Sequence, residues 1–209
     1  MSTTTQASQR IGALLDENSF VEIGAQITAR ATDFNLKQTD TPSDGVVTGY
    51  GVINGNLVYV YSQDASVLGG SIGEMHAKKI ANLYDLAMKT GAPVIGLIDS
   101  AGLRLQEATD ALNGFGEIYF KQSMASGVIP QITAILGTCG DDLVAVRQLQ
   151  SLVLKAPGDL AGPLLSHGGE VQQHDTQTQT AIDLIGMLVG NLHQIDPAVP
   201  QNEAVRLAV

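Results

Sequence analysis

The sequence predicts an α/β layered domain with parallel strand pairings, and three observations carry that expectation. A small-residue loop running from a strand into a helix occurs twice, in Gln63-Asp64-Ala65-Ser66-Val67-Leu68-Gly69-Gly70-Ser71-Ile72-Gly73-Glu74 and in Asp99-Ser100-Ala101-Gly102-Leu103-Arg104-Leu105-Gln106-Glu107. Short β-rich runs alternate with amphipathic helical runs through the middle of the chain, and parallel strands need such crossovers. Asn54-Gly55-Asn56 separates two β-rich runs, and Asn-Gly in that position is the strongest short hairpin signal.

The elements follow in order. Residues 1–9 are polar and read as a disordered lead-in, 10–16 as a short helix and 20–26 as a strand. Residues 31–45 are turn-rich, with Thr41-Pro42-Ser43-Asp44-Gly45 as a loop. Residues 46–53 and 57–61 form the two hairpin strands. Ile80, Leu83, Tyr84 and Ala87 then recur at helical spacing, and Gly91 with Pro93 ends that helix. Residues 94–98 are a short apolar run, read as a buried strand. Ala108, Ala111, Leu112, Phe115, Ile118, Tyr119 and Gln122 mark the face of a second helix closed by Gly127, and 128–136 is another strand. A helix over 141–154, capped by Asp141 or Asp142, completes one domain over 10–154. Residues 155–209 are an unassigned linker and helix: a loop at 157–169, a polar low-complexity stretch at 172–180, and an amphipathic helix at 181–193 with Ile182, Ile185, Leu188, Val189 and Leu192 on one side.

Composition bounds the function. With 44% hydrophobic residues among 209, one sizeable core can form. A net charge of −10 with only 11 Lys+Arg argues against nucleic acid as a partner. The sole cysteine, Cys139, excludes an intramolecular disulfide and suits a cytoplasmic home. The polar start lacks the apolar run of a signal peptide, and no run is long enough to span a membrane, so no direct membrane insertion is expected.

The chemistry-bearing candidates lie on the two loops. A helix start leaves backbone N–H groups unpaired and partly positive, and such donors can hold a developing oxyanion without an ordinary nucleophile. The bland alternative is that Gly69-Gly70 and Ala101-Gly102 are only strand-to-helix turns. Neither loop fits the Walker or the dinucleotide glycine pattern. Arg104 either pairs with Asp99 or Glu107 to hold its loop, or clamps a carboxylate or phosphate. His76, Lys78 and Lys79 fall on the first helix, where the Glu74-to-Lys78 spacing suggests a solvated face. His167, His174 and His193 have no metal-ligand spacing, so no metal is expected, and Cys139 reads as a buried apolar filler.

These residues also carry a resemblance. The runs beginning at Arg10, Thr32 and Asp44, then Gly69-Gly70-Ser71-Ile72-Gly73-Glu74-Met75-His76-Ala77-Lys78-Lys79-Ile80, Thr90-Gly91-Ala92-Pro93, the Asp99 loop, Gly114-Phe115-Gly116-Glu117-Ile118 and Ala125-Ser126-Gly127-Val128-Ile129-Pro130-Gln131-Ile132, together resemble the carboxyltransferase subunits of biotin-dependent acyl-CoA carboxylases and decarboxylases of propionyl-, methylmalonyl- and glutaconyl-CoA type. The similarity spans about residues 10–140. It implies a crotonase-like fold of repeated ββα units, here an incomplete single domain. It also implies carboxyl transfer between biotin and the α-carbon of an acyl-CoA. By that resemblance Ala101 and Gly102 are backbone oxyanion donors to the thioester enolate, and Gly69, Gly70 and Arg104 shape the substrate pocket. Biotin would ride on a separate carrier. The implied partners are acyl-CoA, the biotin carboxyl carrier and biotin carboxylase subunits, and further copies in a homo-oligomer. Ala87-Met88-Lys89 matches the biotin-acceptor tripeptide but ends a helix instead of sitting at a hairpin tip, so biotin is not expected on this chain. Family members continue into further ββα units and a second crotonase-like domain, so the alternative reading is a non-catalytic, truncated assembly subunit.

Overall fold

The computed structural model describes residues 5–30, 41–139, 152–155 and Ile185. One six-stranded sheet, in the order β1-β2-β3-β4-β5-β6, organises them. Helix α1 (Gln6–Leu14) precedes β1 (Val21–Ile23). Strands β2 (Val46–Ile53) and β3 (Asn56–Gln63) form the expected hairpin, with Asn54 and Gly55 both at positive φ, as a tight two-residue turn requires. Then α2 (Glu74–Thr90), β4 (Val94–Ser100), α3 (Ala108–Ala125), β5 (Gln131–Cys139) and β6 (Leu152–Lys155) follow. β1 to β3 pair antiparallel, and β3 to β6 pair parallel.

Both faces of the sheet are covered. α1 packs on one face, burying Ile11 and Leu14 against Val58, Val60, Ile95, Leu97, Ile132 and Leu136. α2 covers the other through Ile80, Leu83 and Tyr84, which meet Tyr59, Tyr61, Val94 and Ile98. Double coverage explains why β4 is buried at every position and reads as a continuous apolar run. Each fully buried side chain of this kind stabilises the fold by about 1.5–3 kcal/mol. α3 lies against α2, where a Cβ at Gly114 would crowd Ala77, so the glycine permits the close approach.

Several boundaries depart from the sequence reading. α1 begins at Gln6, within the expected lead-in, because Thr5 and Ser8 form a reciprocal capping box. β1 is only three residues long. Of the residues that helical spacing places on one face of α3, Ala108 and Leu112 are exposed, Leu112 by 62%, while Ala111, Phe115 and Ile118 face inward. Residues 152–155 are strand, not the end of a helix, and pair with Ile132–Ile135 of β5. The rest of the 141–154 helix, the 157–169 loop and the 172–180 stretch lie outside the described residues, as does the 181–193 helix apart from Ile185, which is helical and buried. Among the described residues, no helix is long and apolar enough to cross a membrane.

Candidate active site

The two glycine-bearing loops meet at the carboxyl ends of the parallel strands β3 and β4, where ligands bind in open parallel sheets. A short parallel bridge joins them: the Ile72 N–H donates to the Gly102 carbonyl (2.8 Å) and the Arg104 N–H to the Ile72 carbonyl (3.0 Å). Gly70 sits at φ +65°, and a Cβ there would overlap the Asp99 carbonyl, so only glycine allows the contact. Gly69 and Ala101 are exposed side by side, with only 3.4 Å between a Cβ built on Gly69 and that of Ala101. The result is an exposed saddle of small residues.

The expected donors are placed there but are not free. The Ala101 N–H donates to the Gly69 carbonyl at 2.9 Å, and the Gly102 N–H to Ser100 Oγ at 3.1 Å. Nor does a helix start point at the saddle. α2 begins at Glu74 and α3 at Ala108, several residues downstream of each loop. The first N–H groups of α2 instead meet buried carboxylates: Glu74 N–H donates to Glu107 Oε2 (2.6 Å) and His76 N–H to Asp44 Oδ2 (2.7 Å). Helix-dipole stabilisation therefore acts on the protein's own carboxylates.

Arg104 holds those two acids. Its side chain is fully buried and donates to Asp44, to Glu107 Oε1 (2.9 Å), and to the Ser71 hydroxyl (3.3 Å) and carbonyl (2.7 Å). The loop-holding role is the one the structure gives, with Asp44 in place of Asp99. A clamp on a ligand would need an open face that this guanidinium lacks. Asp99 belongs instead to Arg10 of α1, at 2.9 Å, and also accepts from the Thr138 N–H (3.1 Å).

His76 and Lys79 correct the solvated-face reading. The Glu74–Lys78 pair forms on the surface at 2.7 Å, whereas His76 and Lys79 turn inward. Burial, and then the nearby Arg104, press the His76 pKa down to about 3. Burial likewise lowers Lys79 to about 8, and its ammonium donates to the backbone carbonyls of Ser43 (3.0 Å) and Val46. Burial also raises the Asp44 carboxyl against the pull of Arg104. Cys139 is half-buried at the end of β5, and Lys89 is exposed on the last turn of α2. Among the described residues, no group of three or more His, Cys, Asp or Glu side chains is placed to hold a metal ion.

The sequence reading passed over Asp44, Gln63 and His76 as a connected set. One signal was available for His76. It lies four residues ahead of Ile80, which in turn precedes Tyr84 by four, so it continues the buried stripe of α2.

A family model described as carboxyl transferase domain matches residues 4–141, two thirds of the chain. The chain belongs to the carboxyl transferase domain family. Its fold is accordingly the crotonase-like arrangement that the resemblance implied. The chain is 53% identical over 180 residues to the methylmalonyl-CoA decarboxylase subunit alpha of Propionigenium modestum, covering 86% of this chain and 34% of that protein. It is 53% identical over 138 residues to the propionyl-CoA carboxylase beta chain of Roseobacter denitrificans, covering 66% of this chain and 27% of the relative. Among solved structures, a transcarboxylase 12S hexamer with hydrolysed methylmalonyl-coenzyme A bound aligns at 39% identity and a TM-score of 0.66, over 71% of this chain and 29% of that one. A Pseudomonas malonate decarboxylase hetero-tetramer shares the fold at a TM-score of 0.67 and 22% identity, covering 97% of this chain and 95% of the matched one. The chain spans about a third or less of the length of these curated relatives.

Proposed function

We propose that this chain supplies the thioester half-site of an acyl-CoA carboxyltransferase or decarboxylase, holding a short acyl-CoA while its enolate forms. The observation that carries this reading is the exposed Gly69–Ala101 saddle, made of small residues at the carboxyl ends of parallel strands and braced from beneath by Arg104. Its relatives named for methylmalonyl-CoA and propionyl-CoA supply the substrate class. The thioester oxygen takes the Ala101 N–H over from the Gly69 carbonyl and the Gly102 N–H over from the Ser100 hydroxyl oxygen. The buried ion cluster keeps the loop from collapsing when that exchange occurs. Biotin on its separate carrier brings or removes the carboxyl group, and the residues assigned in this chain act on the thioester alone.

An acidic chain must bind this polyanionic ligand by local donors, since its net charge of −10 opposes long-range steering. The site is completed by a partner. Leu112, Phe120 and Met124 lie eight and then four residues apart along one side of α3 and are 62%, 60% and 55% exposed. Leu112 and Phe120 border an open groove of about 610 Å³, lined also by Thr109, Asn113, Gly116 and Glu117. A solvent-facing helix stripe of this kind marks a protein interface. The transcarboxylase relative assembles as a hexamer, and a second crotonase-like domain or subunit is the occupant proposed here.

The test is calorimetric titration of the assembled protein with propionyl-CoA. Binding in the micromolar range, lost in Ala101→Leu, which fills the saddle, supports the half-site. Absence of binding at millimolar ligand would leave the assembly-only reading, in which α3 docks a partner and the saddle is vestigial.

A further inference from the structure

Beneath the saddle, a run of buried polar groups links the two loops. Gln63 ends β3 at 1% exposure, and His76 lies on the first turns of α2 with no exposed surface. The Asp99 N–H lies 3.2 Å from Gln63 Oε1, and Gln63 Nε2 lies 3.2 Å from His76 Nε2. His76 Nδ1 lies 2.9 Å from the Asp44 carbonyl.

The proton positions follow from one fixed donor. A backbone N–H can only donate, so the Gln63 oxygen must face Asp99 and the Gln63 amide nitrogen must face His76. That nitrogen donates, so His76 Nε2 must accept. The other ring nitrogen then carries the proton and donates to the Asp44 carbonyl. Each group has one role, and a single neutral tautomer of His76 satisfies all of them. A protonated ring would set two donors against each other at Gln63.

The span of this bridge is what gives it consequence. Asp44 is bonded to Arg104, which holds the far end of the second loop. Asp99 opens that loop and is tied to Arg10 of α1 and to the Thr138 N–H of β5. Ala101 and Gly102 lie between these anchors. We infer that His76 and Gln63 are positioning residues that fix where the Asp99–Gly102 turn sits, and thereby where the Ala101 and Gly102 N–H groups are presented. The geometric part stands on the fold alone, and its consequence for thioester binding rests on the function proposed above.

The inference separates two substitutions at one position. His76→Gln keeps an acceptor near the place of Nε2, whereas His76→Leu keeps bulk and removes both polar contacts. Hydrogen exchange of the assembled protein reads the result, with the Ile95 and Leu97 amides of the same strand as internal references for global opening. In His76→Leu the Asp99, Ala101 and Gly102 amides should exchange about tenfold faster relative to those references, and His76→Gln should restore most of that protection. The Gln63→Leu variant should reproduce the His76→Leu pattern. Equal protection of the turn in all variants, or loss spread evenly over the reference amides, would overturn the inference. Propionyl-CoA titration of the same variants separates it from the functional reading. If the wild type binds nothing while the exchange pattern holds, the thioester assignment fails and the positioning role stands.

Discussion

Arg104 shows how a charge can be taken fully out of water when three segments each bring it a partner. Asp44 comes from the turn before β2, Ser71 from the first loop and Glu107 from the second. Breaking a buried pair of this kind costs about 3–5 kcal/mol, because the abandoned carboxylates stay buried. Asp44 and its neighbour Ser43 accept positive φ, a conformation that costs side-chain-bearing residues of order 1–3 kcal/mol and persists where surroundings over-determine it. His76 makes the pH consequence testable. Its folded pKa of about 3 lies below the ordinary 6.5, so below the upper value the unfolded chain binds a proton that the folded one refuses. Stability through this residue is therefore complete above about pH 6.5 and declines as pH falls toward 3, levelling where the folded state also protonates. Lowering the pH from about 7 to about 4.5 should remove about 2–3 kcal/mol by this route. Asp44, raised by burial, acts with the opposite sign at the acid end, so the comparison must be with His76→Gln at the same two pH values. Urea unfolding should show the variant losing less stability on acidification than the wild type. Parallel losses in the two proteins would mean His76 does not enter the fold neutral.

At the scale of elements, the two loops work as one unit because glycine lets their backbones touch. Gly70→Ala meets both a left-handed φ of +65° and the Asp99 carbonyl, so the loops must separate. We expect a loss of about 2–4 kcal/mol in unfolding experiments, with thioester binding abolished. A change under about 0.5 kcal/mol, the level of a neutral surface site, would show that the loop contact is dispensable. The elements themselves were legible where periodicity or turn chemistry was strong. The Asn54-Gly55 hairpin, the α2 stripe ended by Gly91 in the left-handed region, and the buried β4 all appear as read. The saddle residues Gly69, Gly70, Ala101 and Gly102 also come together as the paired loops implied. The connections between them were not legible. Asp44 lies 60 residues from Arg104 and Arg10 lies 89 from Asp99, and no local pattern announces pairings at that separation. Leu112 misled for a different reason. An apolar residue at helical spacing normally faces its own core, and here it faces outward, beside the exposed Phe120 and Met124 of the proposed interface.

At the scale of the whole molecule, the described sheet and helices carry both the saddle proposed to receive the thioester and an exposed apolar stripe on α3. The exposed side chains of Leu112, Phe120 and Met124 form the face proposed above to meet a partner, on the helix that follows the Leu105–Glu107 turn. Replacing Phe120 by Asp should alter the stability of the isolated chain by no more than about 1 kcal/mol, since the side chain is mostly exposed. The same change should cost at least about tenfold in affinity for the partner, measured by sedimentation. Unchanged assembly would place the partner on another face. The proposed function turns on whether the saddle receives a thioester oxygen. Backbone amide spectra of the isotope-labelled protein during titration with propionyl-CoA report that directly. Saturable shifts are expected at Ala101, Gly102 and Gly69, with the Ala101 amide changing most as it exchanges the Gly69 carbonyl for the ligand, and little change at the α1 amides. Shifts confined to other surfaces, or none at millimolar ligand, would contradict it.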